Sequence, residues 1–282
     1  MATLVDHLRR LSIQKGVAIT HKTEYRTFHF TYRGILTRSL RLASKLSFVK
    51  PGERIVIWAR NSPQWVMSYF ACIALGAVVV AIDYGFSEST AMKIIREVKP
   101  KAIIYSRYKP LKHHQAKGFI MEDIGSNLPI KPLKPRKSSE RDLLEIVYTS
   151  GTTGIPKGVM ITHQNLCANI KSLSESVIIH GQETFCSVLP LSHLFEQTTG
   201  MLFPLYNGAR IVYMDSLNPI GIARICKEEK VTHMITVPRM MAMLKSLLPG
   251  PRFLSRIMFH RRFGNQFEYF ILGGAPISTE IE

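Results

Sequence analysis

Val147-Tyr148-Thr149-Ser150-Gly151-Thr152-Thr153-Gly154-Ile155-Pro156-Lys157-Gly158 is the stretch whose reading decides the fold. A β-prone lead-in runs straight into hydroxyls, glycines and one lysine, the set of groups that a phosphate requires. Gly151, Gly154 and Gly158 let backbone N–H groups approach an anion and tolerate positive φ. Ser150, Thr152 and Thr153 add hydroxyl donors, and Lys157 adds a point charge. The nucleotide-loop pattern G-x-x-x-x-G-K-[ST] does not thread through these residues, because Gly158 follows Lys157. The plain alternative is a Gly/Ser/Thr turn between a strand and a helix. Twelve consecutive residues of this composition weigh for the phosphate.

Outward from this loop the chain alternates strands and helices. Glu145 to Thr149 reads as the strand entering the loop, and Thr162 is placed to cap the helix that follows. Upstream, Arg54 to Trp58 reads as a strand, and Asn61-Ser62-Pro63 opens a helix that stops at Gly76. Ala77 to Ile82 is the next strand. Ser87-Glu88-Ser89-Thr90 starts a helix ended by Pro100, and Ala102 to Tyr105 follows as a strand. Strand–helix alternation at this spacing implies right-handed crossovers and a parallel sheet. From Ser106 to Asp142, Pro129, Pro132 and Pro135 alternate with lysines and predict an extended, solvated connector. Downstream, Phe185 to Leu189, Arg210 to Tyr213, Thr232 to Val237 and Phe267 to Leu272 read as strands. Helices start near His193 and after Asn218-Pro219. The expected fold is α/β, two lobes with mainly parallel sheets covered by helices. Residues 1–140 form the first lobe with its connector at about 106–140, and residues 141–282 form the second, carrying the loop.

The run from Tyr148 to Val159 resembles the phosphate loop of the adenylate-forming superfamily, which includes acyl-CoA synthetases, peptide-synthetase adenylation domains and luciferases. Leu189-Pro190-Leu191-Ser192-His193-Leu194-Phe195-Glu196 resembles the histidine motif of fatty acyl-CoA ligases, with agreement reaching the long-chain branch. Gly273-Gly274-Ala275-Pro276 resembles the turn beside adenine and the acyl group. The resemblance implies the large N-terminal domain of an acyl-CoA synthetase, in incomplete form. It implies ATP-dependent conversion of a long-chain fatty acid to acyl-AMP and then acyl-CoA, with ATP, magnesium and CoA taking part. Thr149, Ser150, Gly151, Thr152, Thr153, Gly154 and Lys157 would then grip the phosphates. Gly273, Gly274, Ala275 and Pro276 would flank adenine and the acyl group. His193 would orient the carboxylate, and Phe195 would line the acyl path. The superfamily's magnesium-binding Glu, ribose-binding Asp and catalytic Lys have no counterpart before Glu282. The expectation is therefore an N-terminal portion, inactive alone, whose metal-binding acid lies beyond residue 282. Transfer of the acyl-adenylate to a carrier protein, or non-catalytic nucleotide or acyl binding, are the rival functions.

Composition fits this reading. Hydrophobic residues make up 46% of the 282 residues, which excludes a disordered chain. The longest apolar run, Tyr69 to Ile82, is fourteen residues, short of the roughly 20 that a bilayer span needs. Arg9, Arg10 and Lys15 interrupt the one candidate secretory segment, so a cytoplasmic protein is expected. Cys72, Cys167, Cys186 and Cys226 are scattered in apolar contexts and read as buried thiols, with no metal site. Lys and Arg number 37 against 20 acids, a formal charge of +17. Basic residues concentrate between Arg107 and Arg141 and at Arg252, Arg256, Arg261 and Arg262. No nucleic-acid module accompanies them, so a solvated face is the first reading, and weak contact with an acidic membrane surface the second.

His163 reads as a first-turn residue supporting the loop, and His113-His114 as solvated surface. Glu196 departs from the wider superfamily but agrees with its long-chain branch, and the plain alternative is a first-turn acid favoured by the helix dipole. Met240, Met241, Met243, Leu244, Leu247 and Leu248 read as the core face of a helix, with an acyl-tunnel wall as the alternative.

Overall fold

A computed structural model describes residues 2–111, 115–125, 128–149, 157–248 and 252–275. The first part contains α1 (Leu4–Ile13), β1 (Val17–Lys22), β2 (Thr27–Thr31), α2 (Tyr32–Lys45), β3 (Arg54–Trp58), α3 (Pro63–Leu75), β4 (Val78–Ala81), α4 (Glu88–Val98), β5 (Ala102–Tyr105) and β6 (Lys117–Ile120). There follow β7 (Leu143–Thr149), β8 (Lys157–Thr162), α5 (His163–Ser176), β9 (Thr184–Ser187) and α6 (Leu194–Glu196). α6 runs through a π-helical segment, Gln197–Leu202, into α7 (Phe203–Tyr206). The chain continues with β10 (Arg210–Met214), α8 (Pro219–Glu228), β11 (His233–Thr236), α9 (Pro238–Lys245), α10 (Arg252–Phe263) and β12 (Tyr269–Leu272).

The strands make two six-stranded sheets, ordered β12-β11-β9-β10-β1-β2 and β6-β5-β3-β4-β7-β8. In each, five strands run parallel and one edge strand, β2 or β8, is antiparallel. This is the expected α/β class, but the strands are shared out differently from a division at residue 140. β1 and β2 join the sheet of the C-terminal strands, while β7 and β8, which flank the loop, join the sheet of β3 to β6. The physical reason is pairing: β7 completes the first sheet on β4, and β1 supplies the neighbour that β10 needs.

Local signals place the helices. Ser62, Ser87, Thr162 and Asn218 each accept a backbone N–H in the first turn of α3, α4, α5 and α8. Gly76 ends α3 in the left-handed region at φ 70°, a conformation that glycine adopts without strain. α3 is buried on nearly every face, as a helix apolar all round should be. It packs on α1, α2, β3 and β4, and Tyr69 on it donates to Gln197 Oε1 at 3.3 Å, reaching the other sheet's helical cover. The four cysteines are buried and free.

The connector is more ordered than its prolines suggest. β6 adds a parallel edge strand to β5, and Met121 and Ile124 are buried. Arg107 pairs with Asp123, and its N–H donates to Glu122. Lys109 donates to the carbonyls of Tyr84 and Phe86. Part of the basic cluster is thus engaged by the fold. From residue 128 to 139 the chain carries no helix or strand, and Leu133 N–H and Arg136 N–H donate to the carbonyls of Leu40 and Ala74. No helix among the described residues is long and apolar enough to cross a membrane.

Candidate active site

Loops leaving the carboxyl ends of both parallel sheets meet at one crevice, the usual place for a ligand in an open α/β sheet. From the first sheet, β3 leads to Arg60 and Asn61, β4 to Asp83, and β7 to Thr149. From the second, β9 leads to Leu189–His193, β10 to Asp215 and Leu217, and β12 to Gly273 and Gly274. A cavity of about 410 Å³ opens among the loops after β3, β4, β9 and β10, lined by Arg60, Asp83, Tyr84, Ser187, Ser192 and Leu217 among others.

His193 is held at the mouth of this crevice. Its N–H donates to Pro190 O at 3.0 Å, and its own carbonyl accepts from Gln197 at 2.9 Å. The turn before it is tied to the other sheet by Asn61, whose Nδ2 donates to Leu189 O at 2.6 Å and whose Oδ1 accepts from Leu191 N at 2.8 Å. The His193 ring is tied as well: Nε2 lies 2.8 Å from Asp83 Oδ2. The hydrogen bond from His193 holds the Asp83 carboxyl below the usual carboxylate range, against the effect of its partial burial; Gly85 N–H helps. Neither Asp83 nor the bridging role of Asn61 is anticipated in the sequence reading. The available signals were a lone Asp at the end of a valine-rich strand, and an Asn one residue ahead of the Ser62 cap.

The glycine turn joins the same site. A Cβ on Gly273 would stand 2.6 Å from Phe195 Cζ, so Gly273 leaves room for the ring beside His193. Gly274 has φ +84° and lies against Val237. Ala275 is described, and Pro276 lies outside the described residues. Thr149 and Lys157 are directly paired across the β7–β8 hairpin and frame the loop. Ser150, Gly151, Thr152, Thr153 and Gly154 lie outside the described residues, as do His113 and His114.

Three readings are corrected here. The phosphate-type loop connects two antiparallel strands, and the helix begins only after β8. Gly158 belongs to β8, where a Cβ would meet Ile146 Cγ2 at 2.9 Å and Tyr148 Cζ at 3.2 Å; packing requires that glycine. His163 opens α5, as expected; it is buried and its Nδ1 accepts Leu4 N–H at 3.1 Å, so it also fastens α1 to α5. The methionine face of α9 is only partly core: Leu244 is buried and Met243 is exposed.

Two buried acids stand behind the site. Glu196 is fully buried, and burial pushes its carboxyl up to about 8. Ser187 and the Leu189 backbone are its polar neighbours, but neither carboxyl oxygen makes a hydrogen bond of ordinary geometry. The helix dipole expected to favour its anion is outweighed. Its carboxyl fills the space over Gly200, one turn on, where an added Cβ would lie 2.7 Å from Glu196 Cδ. Glu145 on β7 is equally buried and is raised to about 7, with Gln197 and Tyr69 beside it. A second cavity, about 320 Å³, lies between α5 and residues 194–199, lined by Ile161, Leu166, Leu173, Leu194 and Phe195 with Asn and Thr side chains. Among the described residues no group of three or more His, Cys, Asp or Glu could hold a metal ion. The described residues thus present no cage for magnesium.

Comparison with known proteins bears on the family and the fold. The profile of the AMP-binding enzyme family matches residues 14–282. The chain is 28% identical over 254 residues to the long-chain-fatty-acid–CoA ligase of Bacillus subtilis, covering 72% of this chain and 44% of that one. It is 24% identical over 275 residues to 4-coumarate–CoA ligase 2 of Nicotiana tabacum, covering 90% and 49%. The chain therefore spans about half the length of the curated relatives it matches. Among solved structures, the fatty acyl-adenylate ligase from L. pneumophila, in complex with acyl adenylate and pyrophosphate, superposes with a TM-score of 0.83. The identity is 20%, over all of this chain and 51% of that one. The N-terminal domain of FACL13 from Mycobacterium tuberculosis gives 0.83 at 22% identity, over all of this chain and 72% of that one.

Proposed function

Because the chain belongs to the AMP-binding enzyme family, we propose that it is the nucleotide- and acid-binding part of an AMP-forming acyl-CoA ligase whose acid is a long-chain fatty acid. The observation that carries this reading is the His193–Asp83 contact across the crevice at the carboxyl ends of two parallel sheets, with Gly273 against Phe195 beside it. In such a reaction a carboxylate attacks the α-phosphate of ATP and pyrophosphate leaves. The protein's work is to offset phosphate charge and bring two reactants into line, with no covalent catalysis by a side chain. Lys157 and Thr149, with the hydroxyls and amides of Ser150 to Gly154, would bind the leaving phosphates. His193 would hold the carboxylate in line. The slot beside Phe195 would take the alkyl chain, since its walls are aliphatic and its rim offers only Asn and Thr. Magnesium would serve the phosphates when bound, and no step here is routed through it. CoA would be the acceptor, and the activity fits a cytoplasmic enzyme that draws its acid from a membrane surface by weak contact of its basic faces.

The test uses unreactive acyl-sulfamoyl adenosines, which carry the acyl group and the adenosine in one molecule, titrated calorimetrically into the chain. A palmitoyl analogue should bind at least about tenfold tighter than a coumaroyl one, a difference of about 1.4 kcal/mol. Failure of both to bind refutes the ligase reading. Tighter binding of the coumaroyl analogue refutes the fatty acid while keeping the adenylate site.

A further inference from the structure

His193 stands on one sheet's loop and depends on the other sheet for its orientation. Its backbone is fixed through Pro190 and Gln197, and its turn is fixed by Asn61. The imidazole itself is half exposed, at 56%, so packing does not orient it; Asp83 Oδ2 at 2.8 Å does. Asp83 is in turn well held. Its Oδ1 accepts Gly85 N–H at 2.6 Å, and its carbonyl accepts Trp58 Nε1–H at 3.0 Å. The loop behind it is pinned by Lys109, which binds the carbonyls of Tyr84 and Phe86 and lies 4.5 Å from the Tyr84 ring centroid. Asp215, the other carboxylate lining the same cavity, is engaged by His21 at 2.9 Å. The His193–Asp83 contact is therefore the end of a supported chain of contacts.

We infer that Asp83 is the positioning residue for His193, holding the imidazole across the crevice between the two sheets with Nε2 protonated, and that Asn61 is the second point of the same clamp. A carboxylate accepts and does not donate, so Nε2 must carry a proton, and in the neutral ring Nδ1 keeps the lone pair. Nδ1 is then the nitrogen left to accept a hydrogen bond or take up a proton at the reacting centre. The low carboxyl of Asp83 agrees, since it keeps the acceptor ionised near neutrality. Because the two anchors belong to the first sheet and His193 to the second, the clamp also sets the spacing of the sheets where the acid and the nucleotide must meet. Any consequence for catalysis rests on the ligase reading above; the orientation of the ring does not.

The experiment follows the His193 ring directly. The chain is labelled with [15N]histidine, and ring nitrogens are read by 1H–15N multiple-bond correlation, with His193→Gln assigning the signal. The wild-type chain should show one Nε2-protonated tautomer, and Asp83→Ala should show a mixture with shifts moved toward those of free histidine. Asp83→Asn, which keeps the volume, covers the case in which the alanine variant does not fold, and should also lose the single tautomer. An unchanged His193 spectrum in whichever folds overturns the inference. In the intact enzyme, fatty-acid-dependent pyrophosphate exchange should lose about tenfold to a hundredfold in kcat in Asp83→Asn, with the KM for ATP unchanged. Retained kcat with an altered tautomer overturns the positioning role. Absence of exchange in the wild-type enzyme refutes the ligase reading instead, and the ring spectrum still decides the clamp.

Discussion

Glu196→Gln is expected to leave the protein more stable than wild type as pH rises, because the buried acid it replaces must otherwise keep or lose a proton. The carboxyl of Glu196 is completely buried and its folded value is raised from 4.5 to about 8. Between these limits the folded chain holds a proton that the unfolded chain has released. Folding stability therefore falls as pH rises through this window: the benefit is full below 4.5 and is lost progressively up to about 8. At about 1.36 kcal/mol per pH unit, the loss between pH 5 and pH 8 comes to about 3–4 kcal/mol from this one residue. Glutamine mimics the protonated acid, so the variant should match wild type near pH 5 and exceed it at pH 8. The assay is urea unfolding at several pH values. With a slope of about 3 kcal/mol per molar urea, the midpoint difference at pH 8 should be about 1 M. Parallel pH profiles for the two proteins would refute the reasoning. They would mean that Glu196 ionises in the folded state as easily as in water, through solvent entry or a compensating partner.

Glu145→Gln should act in the same direction over the lower window from 4.5 to about 7, measured in the same urea series; no gain at pH 8 would contradict it. Gly158→Ala should lower the melting temperature, since the added carbon meets Ile146 and Tyr148; overpacking of this kind costs about 1–3 kcal/mol. Asn61→Ala should cost about 1–3 kcal/mol by leaving Leu189 O and Leu191 N without their partner, and an unchanged denaturation midpoint would argue that water replaces both bonds. In the intact enzyme Lys157→Ala should slow pyrophosphate exchange without lowering the melting temperature, and unaltered exchange kinetics would remove Lys157 from phosphate binding.

What could be read in the sequence was local. Ser62, Ser87, Thr162 and Asn218 cap helices three residues ahead of them, and Gly76 and the prolines act within a turn, so element order followed from neighbours in the chain. α1, β1, β2 and α2, all before Arg54, escaped notice, and β6 and β8 escaped because each is an edge strand: β6 carries lysine and glycine, and β8 has four exposed positions, so neither shows the apolar run that marks the inner strands. Sheet membership escaped for a different reason. A strand's own residues report that it is buried, and say nothing of which distant strand it pairs with; β1 on β10 and β7 on β4 are choices of the whole fold.

The same distinction separates what was found at the site from what was missed. The glycine-rich loop and the histidine motif are continuous, so their chemistry is visible in a short window. Asn61 reaches Leu189 and Leu191 across 128 and 130 positions of sequence, and no spacing rule could connect them. Gly158 shows the opposite hazard. A glycine beside a lysine in a phosphate-type loop and a glycine forced by the Tyr148 ring are the same letter, and only the neighbouring side chains tell them apart. Glu196 does stand in a helix first turn, but the dipole there favours its anion by about 0.3–1 kcal/mol at a surface site, whereas the gap from 4.5 to about 8 corresponds to about 5 kcal/mol against it. Burial decides the sign, and burial at residue 196 comes from the helix that His193 caps packing on β9 and β11.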